Sequence, residues 1–412
     1  MRVLVIANNF PSPDRPYNGV FNLRQMRALR ELGHQMAVVR FVPWAPPIGG
    51  RWQRYRIVPR AYHVEGIPVR TLRGLMGRRC WGLGTVRYQL QSKVAAEIAA
   101  FRPEVIHVHG LLPSGVLALD STIPYVLTAH GSDTYALPWT RYGLERIARN
   151  VTGSATVVTA VSEFVASHVR RLGAAHVRVI YNGADPAVFR SLERRQARIR
   201  LNLPPDAPIV AFVGHLVREK GVHDLVDALA QLQDLRPYAL FAGSGSLSAA
   251  LEERCMRDGI NATFYGLLDQ GRLADIYAAA DVFALPSYRE GLPTVICEAM
   301  NVGRAVVATR VGGIPEIVRH GINGFIVEPG DVTQLAVYLR TILADAPLRD
   351  RFESAARAFA QANLTWQGNA REYDAIYRDL VEKRTSPAPA GTGLVAVSPN
   401  ALVSTRLRED DC

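Results

Sequence analysis

The feature that most constrains this chain is an alternation of short apolar runs with helical stretches, which continues along most of its length and restarts once near the middle. Strands of a parallel sheet read as unbroken Val, Ile, Leu and Ala because helices cover both faces, so this pattern predicts doubly wound α/β folding. In the first block the runs are VLVIA (residues 3–7), QMAVVRFV (35–42), EVIHVH (104–109), PYVLTAH (124–130), ATVVTAV (155–161) and HVRVIYN (176–182). In the second they are PIVAFVG (208–214), YALFAG (238–243), ATFYG (262–266), DVFALPS (281–287) and AVVATRV (305–311). A helix is expected from about Val20 to Leu32, after a Pro-rich loop ending in Asn18 and Gly19, with Gly33 as its C-cap. The length of 412 residues exceeds what one hydrophobic core usually supports, so two such domains facing a cleft are expected. Their bounds are read as 1–190 and 208–363, joined by the arginine-rich stretch SLERRQARIRLNLPPDA (191–207). A last helix over 364–384 follows, and the composition of 385–412 predicts a disordered tail.

A hydrophobic content of 48% with 21% charged residues describes a soluble globular protein and excludes disordered and fibrous classes. The net charge of +11 favours anionic partners, whether nucleic acid, a membrane surface or a phosphorylated substrate. Much of it lies early, in Arg51, Arg54, Arg56, Arg60, Arg70, Arg73, Arg78, Arg79 and Arg87, interleaved with Trp44, Trp52, Tyr55 and Trp81. Arginines mixed with aromatic rings fit a membrane interface; a solvated basic loop carries equal weight. Cys80, Cys255, Cys297 and Cys412 form no C-x-x-C pair, so neither a disulfide framework nor a zinc site is expected, and a reducing cytoplasm is the simplest location. The opening MRVLVIANN lacks a signal-peptide pattern, and no apolar run is long enough to span a bilayer. Membrane contact would therefore be peripheral, at the inner face.

In open α/β sheets ligands bind at the carboxyl ends of the strands, which directs attention to the loops of the second block. EGLPTVICE places Glu290 and Glu298 across a loop-to-helix junction with seven residues between them. A carboxylate accepts from two neighbouring hydroxyls and a helix N-terminus takes phosphate, so the pair suits sugar rings joined by phosphate. Taken alone, two such glutamates would be solvated helix residues; the neighbouring loops change that balance. GHLVREKG (214–221) offers His215, Arg218 and Lys220 ahead of a helix, where cations can neutralise a leaving diphosphate. In GSGS (243–246), Gly243 and Gly245 permit close backbone approach to a ligand, although a structural turn would use the same residues. Gly291 and Leu292 would present backbone N–H groups to phosphate, with Pro293 at the helix start. Gly312 and Gly313 offer another close approach. His130, in HGSD, stands at a strand end facing the cleft. His107 and His109 face one way together, but without a third ligand they make a poor metal site. No D-x-D pair lies near the cleft strands, which argues against a required divalent ion.

In order and spacing, FPSPDRPYNGVFNLRQMRALRELGHQ, TAHGSD, VIYNGAD, VGHLVREKG, GSGS, DVFALPSYREGLPTVICEAM, VATRVGGIPEIV and NGFIVEPGD resemble glycosyltransferase family 4 over residues 1 to about 384. That family comprises retaining, nucleotide-sugar-dependent transferases of the GT-B fold, with two Rossmann-like domains. The resemblance implies that Glu290 binds donor-sugar hydroxyls and Glu298 the ribose diol. It puts Lys220 on the diphosphate with the backbone of Gly291 and Leu292, His130 by the reacting centre, and Gly19 on the first-domain side of the diphosphate site. It also implies that LTWQGNAREYDAIYRDLVEK is a final helix crossing back onto the first domain. One departure stands out: the family commonly carries arginine where this chain has His215, so Lys220 outranks it as a phosphate ligand. The implied activity is hexosyl transfer from a UDP- or GDP-sugar to an acceptor hydroxyl, with retention and no metal or other cofactor. Its context is cell-surface polysaccharide or glycolipid biosynthesis, on a glycan or lipid-linked acceptor, with no nucleic-acid partner. Two rivals are a non-hydrolysing sugar-nucleotide epimerase, which would turn over without an acceptor, and a non-catalytic scaffold. An NAD-dependent oxidoreductase would show G-x-G-x-x-G after its first strand, and ANNFPSPDRPYNG does not.

Overall fold

The computed structural model describes residues 1–44, 56–75, 80–135 and 144–385, the side chains of 80–85 and 385 excepted. Arg51, Arg54, Arg78, Arg79, Trp52, Tyr55, the Trp81 side chain and residues 386–412 lie outside the described residues.

In the first domain β1 (Arg2–Ala7), β2 (Gln35–Pro43), β3 (Ala61–Val64), β4 (Ile67–Gly74), β5 (Val105–His109), β6 (Tyr125–Ala129), β7 (Val157–Ala160) and β8 (Val177–Val179) build one sheet. Its order is β3-β4-β2-β1-β5-β6-β7-β8, parallel throughout except for the antiparallel β3–β4 pair. In the second domain β9 (Ile209–Val213), β10 (Tyr238–Ala242), β11 (Ala262–Gly266), β12 (Val282–Leu285), β13 (Ala305–Thr309) and β14 (Gly324–Val327) form an all-parallel sheet. The order there is β11-β10-β9-β12-β13-β14. Strand order reverses at β1/β5 and again at β9/β12, so each sheet opens a crevice at the carboxyl ends of its central strands.

β1 shows why the apolar runs become central strands. Its alternate side chains serve two cores: Leu4 and Ile6 pack with Val39, Phe41, Ile106 and Leu127. Val3, Val5 and Ala7 pack on the opposite face, against Leu23, Met26 and Leu29 of the helix Val20–Glu31 and against Trp366, Tyr373 and Tyr377. The last three belong to the helix Trp366–Thr385, which follows the second domain in sequence yet completes the core of the first.

β14 adds a strand to the five expected in the second block, and two further segments differ from their sequence reading. Within the basic stretch between Trp44 and Arg87 the chain makes the β3–β4 hairpin, and Arg70 and Arg73 stand on β4. Exposed positions alternate with buried ones along β4, so no continuous apolar run marks it. The arginine-rich connection, in turn, contains the helix Arg194–Arg200, which packs against the second domain. There Arg198 is buried, donating to Asp281 Oδ2 (2.8 Å) and to the Ala279 carbonyl (3.0 Å).

Candidate active site

The loop after β12 leads through Glu290 into the helix Thr294–Val302. Glu290 is 8% exposed, and its Oε1 accepts from Lys220 Nζ (2.6 Å) and Ser287 Oγ (2.8 Å). Lys220 comes from the 3-10 turn Arg218–Lys220 after β9, so the ion pair joins the loops on the two sides of the crevice. Burial obliges a carboxylate to find such partners, and here they hold it where the two loops meet ahead of the helix Val222–Ala230.

Glu298, one turn into its helix, is 2% exposed. Its Oε2 accepts from the Tyr277 hydroxyl (2.8 Å), and its Oε1 accepts from the Arg24 guanidinium. Burial first, and then the neighbouring carboxylate, push the Tyr277 phenol well above its ordinary range, which keeps it a donor. Arg24 belongs to the helix Val20–Glu31 and therefore reaches across from the first domain. It lies over the Phe189 ring at 5.7 Å, and Gln270, with its amide oxygen turned toward it, accepts from its Nε (2.8 Å) and Nη2 (3.1 Å).

His130 follows β6 on the first-domain side. The backbone N–H groups of His130 and Gly131 donate to Asp133 Oδ1 (3.0 and 2.8 Å). Its ring packs against Phe21 at 4.9 Å, and its Nε2 lies 2.9 Å from His109 Nδ1. Burial lowers His130 from its ordinary 6.5, partly offset by Asp133. The domains meet directly here: a Cβ on Gly291 would come 2.0 Å from the His130 carbonyl oxygen, and one on Gly313 would come 2.5 Å from Ser162 Cβ. Ser162 Oγ donates to the Gly291 carbonyl (3.2 Å), and Asn182 Nδ2 donates to the Leu292 carbonyl (3.1 Å).

Placement of the remaining expected residues is uneven. Gly19 has φ +66°, and a Cβ there would lie 2.1 Å from the Asn9 carbonyl oxygen, so it closes the loop after β1 onto the helix start. Gly243 and Gly245 pack on the neighbouring loop, where a Cβ would meet the carbonyl oxygens of Gly214 and Leu216 at 1.9 and 2.2 Å. That packing requires glycine whether or not a ligand is bound. Leu292 is 5% exposed and buries its side chain ahead of the helix. His215 and Arg218 are exposed, and among the described residues neither side chain makes a hydrogen bond or ion pair, in contrast to Lys220.

Sequence reasoning missed Arg24, Tyr277 and Ser287 as partners of the glutamates and His109 as the partner of His130. Arg24 and Tyr277 lie inside amphipathic helices where nothing in the local pattern separates them from their neighbours. Cys255 and Cys297 are buried thiols pushed up by burial, Cys255 to about 11, so neither is a thiolate nucleophile. Among the described residues no group of three or more His, Cys, Asp or Glu side chains is gathered as an ion site. A surface cavity of about 260 Å³ lined by Leu229, Arg236, Pro237 and Asn261 lies at the amino ends of β10 and β11, the end opposite the crevice.

Comparison with known proteins places the two halves separately. Residues 193–359 match the model described as glycosyl transferases group 1, and residues 19–188 match glycosyltransferase family 4. The chain is 33% identical over 329 residues to the Bacillus subtilis protein named as a teichuronic acid biosynthesis glycosyltransferase, spanning 77% of this chain and 83% of that one. It is 31% identical over 368 residues to a sulfoquinovosyl transferase of Arabidopsis thaliana, spanning 84% and 68%. Its fold matches the sucrose-phosphate synthase of Thermosynechococcus elongatus at a TM-score of 0.76, with 24% identity over 93% of this chain and 99% of that one. It also matches Anabaena HepE, solved in complex with UDP-glucose, at a TM-score of 0.70 with 22% identity, covering 92% and 100%. With two Rossmann-like sheets facing a crevice and paired glutamates within it, the chain belongs to glycosyltransferase family 4 of the GT-B fold.

Proposed function

We propose that this glycosyltransferase moves a hexose from a UDP- or GDP-linked donor to an acceptor hydroxyl, with retention at the anomeric carbon and without a required metal. The observation that carries this reading is the pair of buried carboxylates at the crevice, Glu290 held by Lys220 and Ser287, and Glu298 held by Tyr277 and Arg24. Glu298 would take the ribose diol and Glu290 hydroxyls of the donor sugar. Lys220 would neutralise the diphosphate, joined by the N-terminal N–H groups of the helix Thr294–Val302. Among the described residues no side chain named at the crevice is a free nucleophile, since Glu290 is engaged by Lys220 and Cys297 is a buried thiol. The acceptor oxygen then attacks the anomeric carbon on the face from which the diphosphate leaves, and the departing phosphate oxygen takes the acceptor proton. Rate enhancement rests on stabilising the leaving group and on alignment.

Support for the donor class comes from the Anabaena neighbour solved with UDP-glucose. The names of the teichuronic acid and sulfoquinovosyl relatives support a setting in polysaccharide or glycolipid biosynthesis. A lipid-linked acceptor at the inner face of an anionic membrane fits the first domain. Trp44 and Leu75, exposed at 49% and 55%, follow the carboxyl ends of β2 and β4, the same end of the sheet as the crevice. Ile57, next in sequence to the exposed Arg56, and Tyr88, next to the exposed Arg87, are exposed as well. Among the described residues no helix is long and apolar enough to cross a membrane.

Calorimetric titration with UDP and GDP, without metal and then with a chelator, tests the donor site in the wild type and in Glu298→Ala. One nucleotide should bind, and the substitution should weaken it by at least roughly tenfold, as expected for loss of a charged hydrogen-bonding partner. Binding of neither nucleotide by the wild type would remove the donor-site assignment, and an inverted anomer in the NMR spectrum of the product would remove retention.

A further inference from the structure

His107 and His109 lie two residues apart on β5, so both rings project to the sheet face covered by the helix Trp366–Thr385. They form a stack that ends at the crevice. Tyr373 lies 4.8 Å from His107, His107 lies 4.1 Å from His109, and His109 lies 5.2 Å from His130. His107 is held at both nitrogens, Nδ1 by the Tyr377 hydroxyl (2.5 Å) and Nε2 by Thr128 Oγ1 (2.7 Å). Thr128 is in turn linked to Thr159 and Tyr373. His109 has Nδ1 against His130 Nε2, while its own Nε2 is buried without a partner among the described residues.

A single hydrogen between His109 and His130 allows two arrangements. If His130 donates, the remaining proton of His109 sits on Nε2 as a buried N–H with no acceptor, the rarer and costlier kind of orphan. If His109 Nδ1–H donates, the orphan is only an unused lone pair. His130 then keeps its proton on Nδ1, a nitrogen that makes no hydrogen bond to any described residue, on a half-buried side chain whose own backbone carbonyl meets Gly291. Burial disfavours a charged imidazole throughout: His107 is pushed down to about 3, and His109 well below its ordinary 6.5.

We propose that His109 is a positioning residue that fixes His130 as the Nδ1–H tautomer, so that this histidine meets an oxygen of the bound substrate as a hydrogen-bond donor and not as a base. The substrate's identity rests on the transferase reading above; the tautomer does not. The stack beneath His109 gives the helix Trp366–Thr385 a direct part in holding the ring, because Tyr373 and Tyr377 support His107 from that helix.

The test uses the full chain labelled with 15N-histidine. Two-bond proton–nitrogen correlations report which ring nitrogen is protonated, with the His109 and His130 signals assigned from the spectra of His109→Asn and His130→Asn. Both rings should be protonated at Nδ1; a His130 protonated at Nε2, or at both nitrogens, would overturn the proposal. Kinetics supply the second reading. His109→Asn keeps an N–H donor close to Nδ1 and should retain kcat within about tenfold, whereas His109→Asp offers only acceptors, should switch His130 to Nε2–H, and should lower kcat by roughly 10²-fold. UDP affinity should stay within about threefold in both. An Asp variant with unchanged kcat, or one in which nucleotide affinity falls as far as kcat, would overturn the positioning role. If the wild type bound no nucleotide, the transferase reading would fail while the tautomer would still be decided by the spectra.

Discussion

Glu290 and Glu298 are satisfied from different directions, and this governs what substitution should do at each. Glu290 takes both partners from its own domain. Lys220→Ala leaves it with Ser287 alone and removes the cation from the diphosphate, so turnover should fall by roughly 10²–10³ in steady-state assays. Glu298 shares one oxygen with Arg24 of the other domain, and a ribose diol binding both oxygens would have to displace that contact. Arg24→Gln should therefore tighten UDP by several-fold in calorimetry, and weakening would show that Arg24 contacts the nucleotide itself. Both glutamates were legible because their spacing across a loop-to-helix junction is visible in one dimension. Arg24 was not, since it lies 274 positions from Glu298 and becomes its partner only when the domains face each other.

Among the elements, the helix Glu163–Arg171 has its N-terminus completed across the domain boundary. Ser162 accepts from the Val165 N–H (3.2 Å) as the local cap, and Glu316 of the second domain accepts from the N–H groups of Glu163 (2.8 Å) and Phe164 (3.0 Å). A carboxylate there satisfies otherwise unpaired donors and complements the helix dipole. Glu316→Ala should weaken the domain contact by about 0.5–2 kcal/mol, the range for losing a cap, and X-ray scattering without nucleotide should show a larger radius of gyration. Gly291→Ala should separate the same seam by placing a methyl group against the His130 carbonyl, with turnover lost while the unfolding temperature of the second domain holds. Most of the legible strands, such as β5 and β9, are buried on both faces, whereas β8 and β11 are only partly buried. β3 and β4 were not legible, because an edge hairpin that alternates exposed with buried or half-buried positions carries no continuous apolar run to set it apart from a basic loop.

Across the whole molecule, the buried histidines tie stability to pH. In the unfolded chain His107 and His109 take up protons near pH 6.5, whereas in the folded chain burial holds His107 down to about 3 and His109 well below 6.5. The unfolded state then binds more protons in this window, so stability is fully present above pH 6.5 and falls as pH drops, by about 1.4 kcal/mol per pH unit for each such histidine. Urea unfolding at pH 7.5 and 5.5 should show the midpoint falling at the lower pH, and falling less in His107→Gln. An unchanged midpoint in the wild type would contradict the burial of neutral rings.

The sequence by itself determined the two parallel sheets, the crevice at their carboxyl ends and the loops that carry Glu290, Glu298, Lys220 and His130. These follow from hydrophobic periodicity and short-range spacing, which act along the chain. Only the tertiary structure decided the partners: Arg24 on Glu298, Glu316 on the first domain's helix, and the stack from Tyr373 to His130. Each of these joins residues more than 20 positions apart, and the reason is the same throughout. A buried charge, N–H or ring nitrogen must be paired, but which group pairs with it depends on how two separately formed domains and one returning helix come to rest against each other.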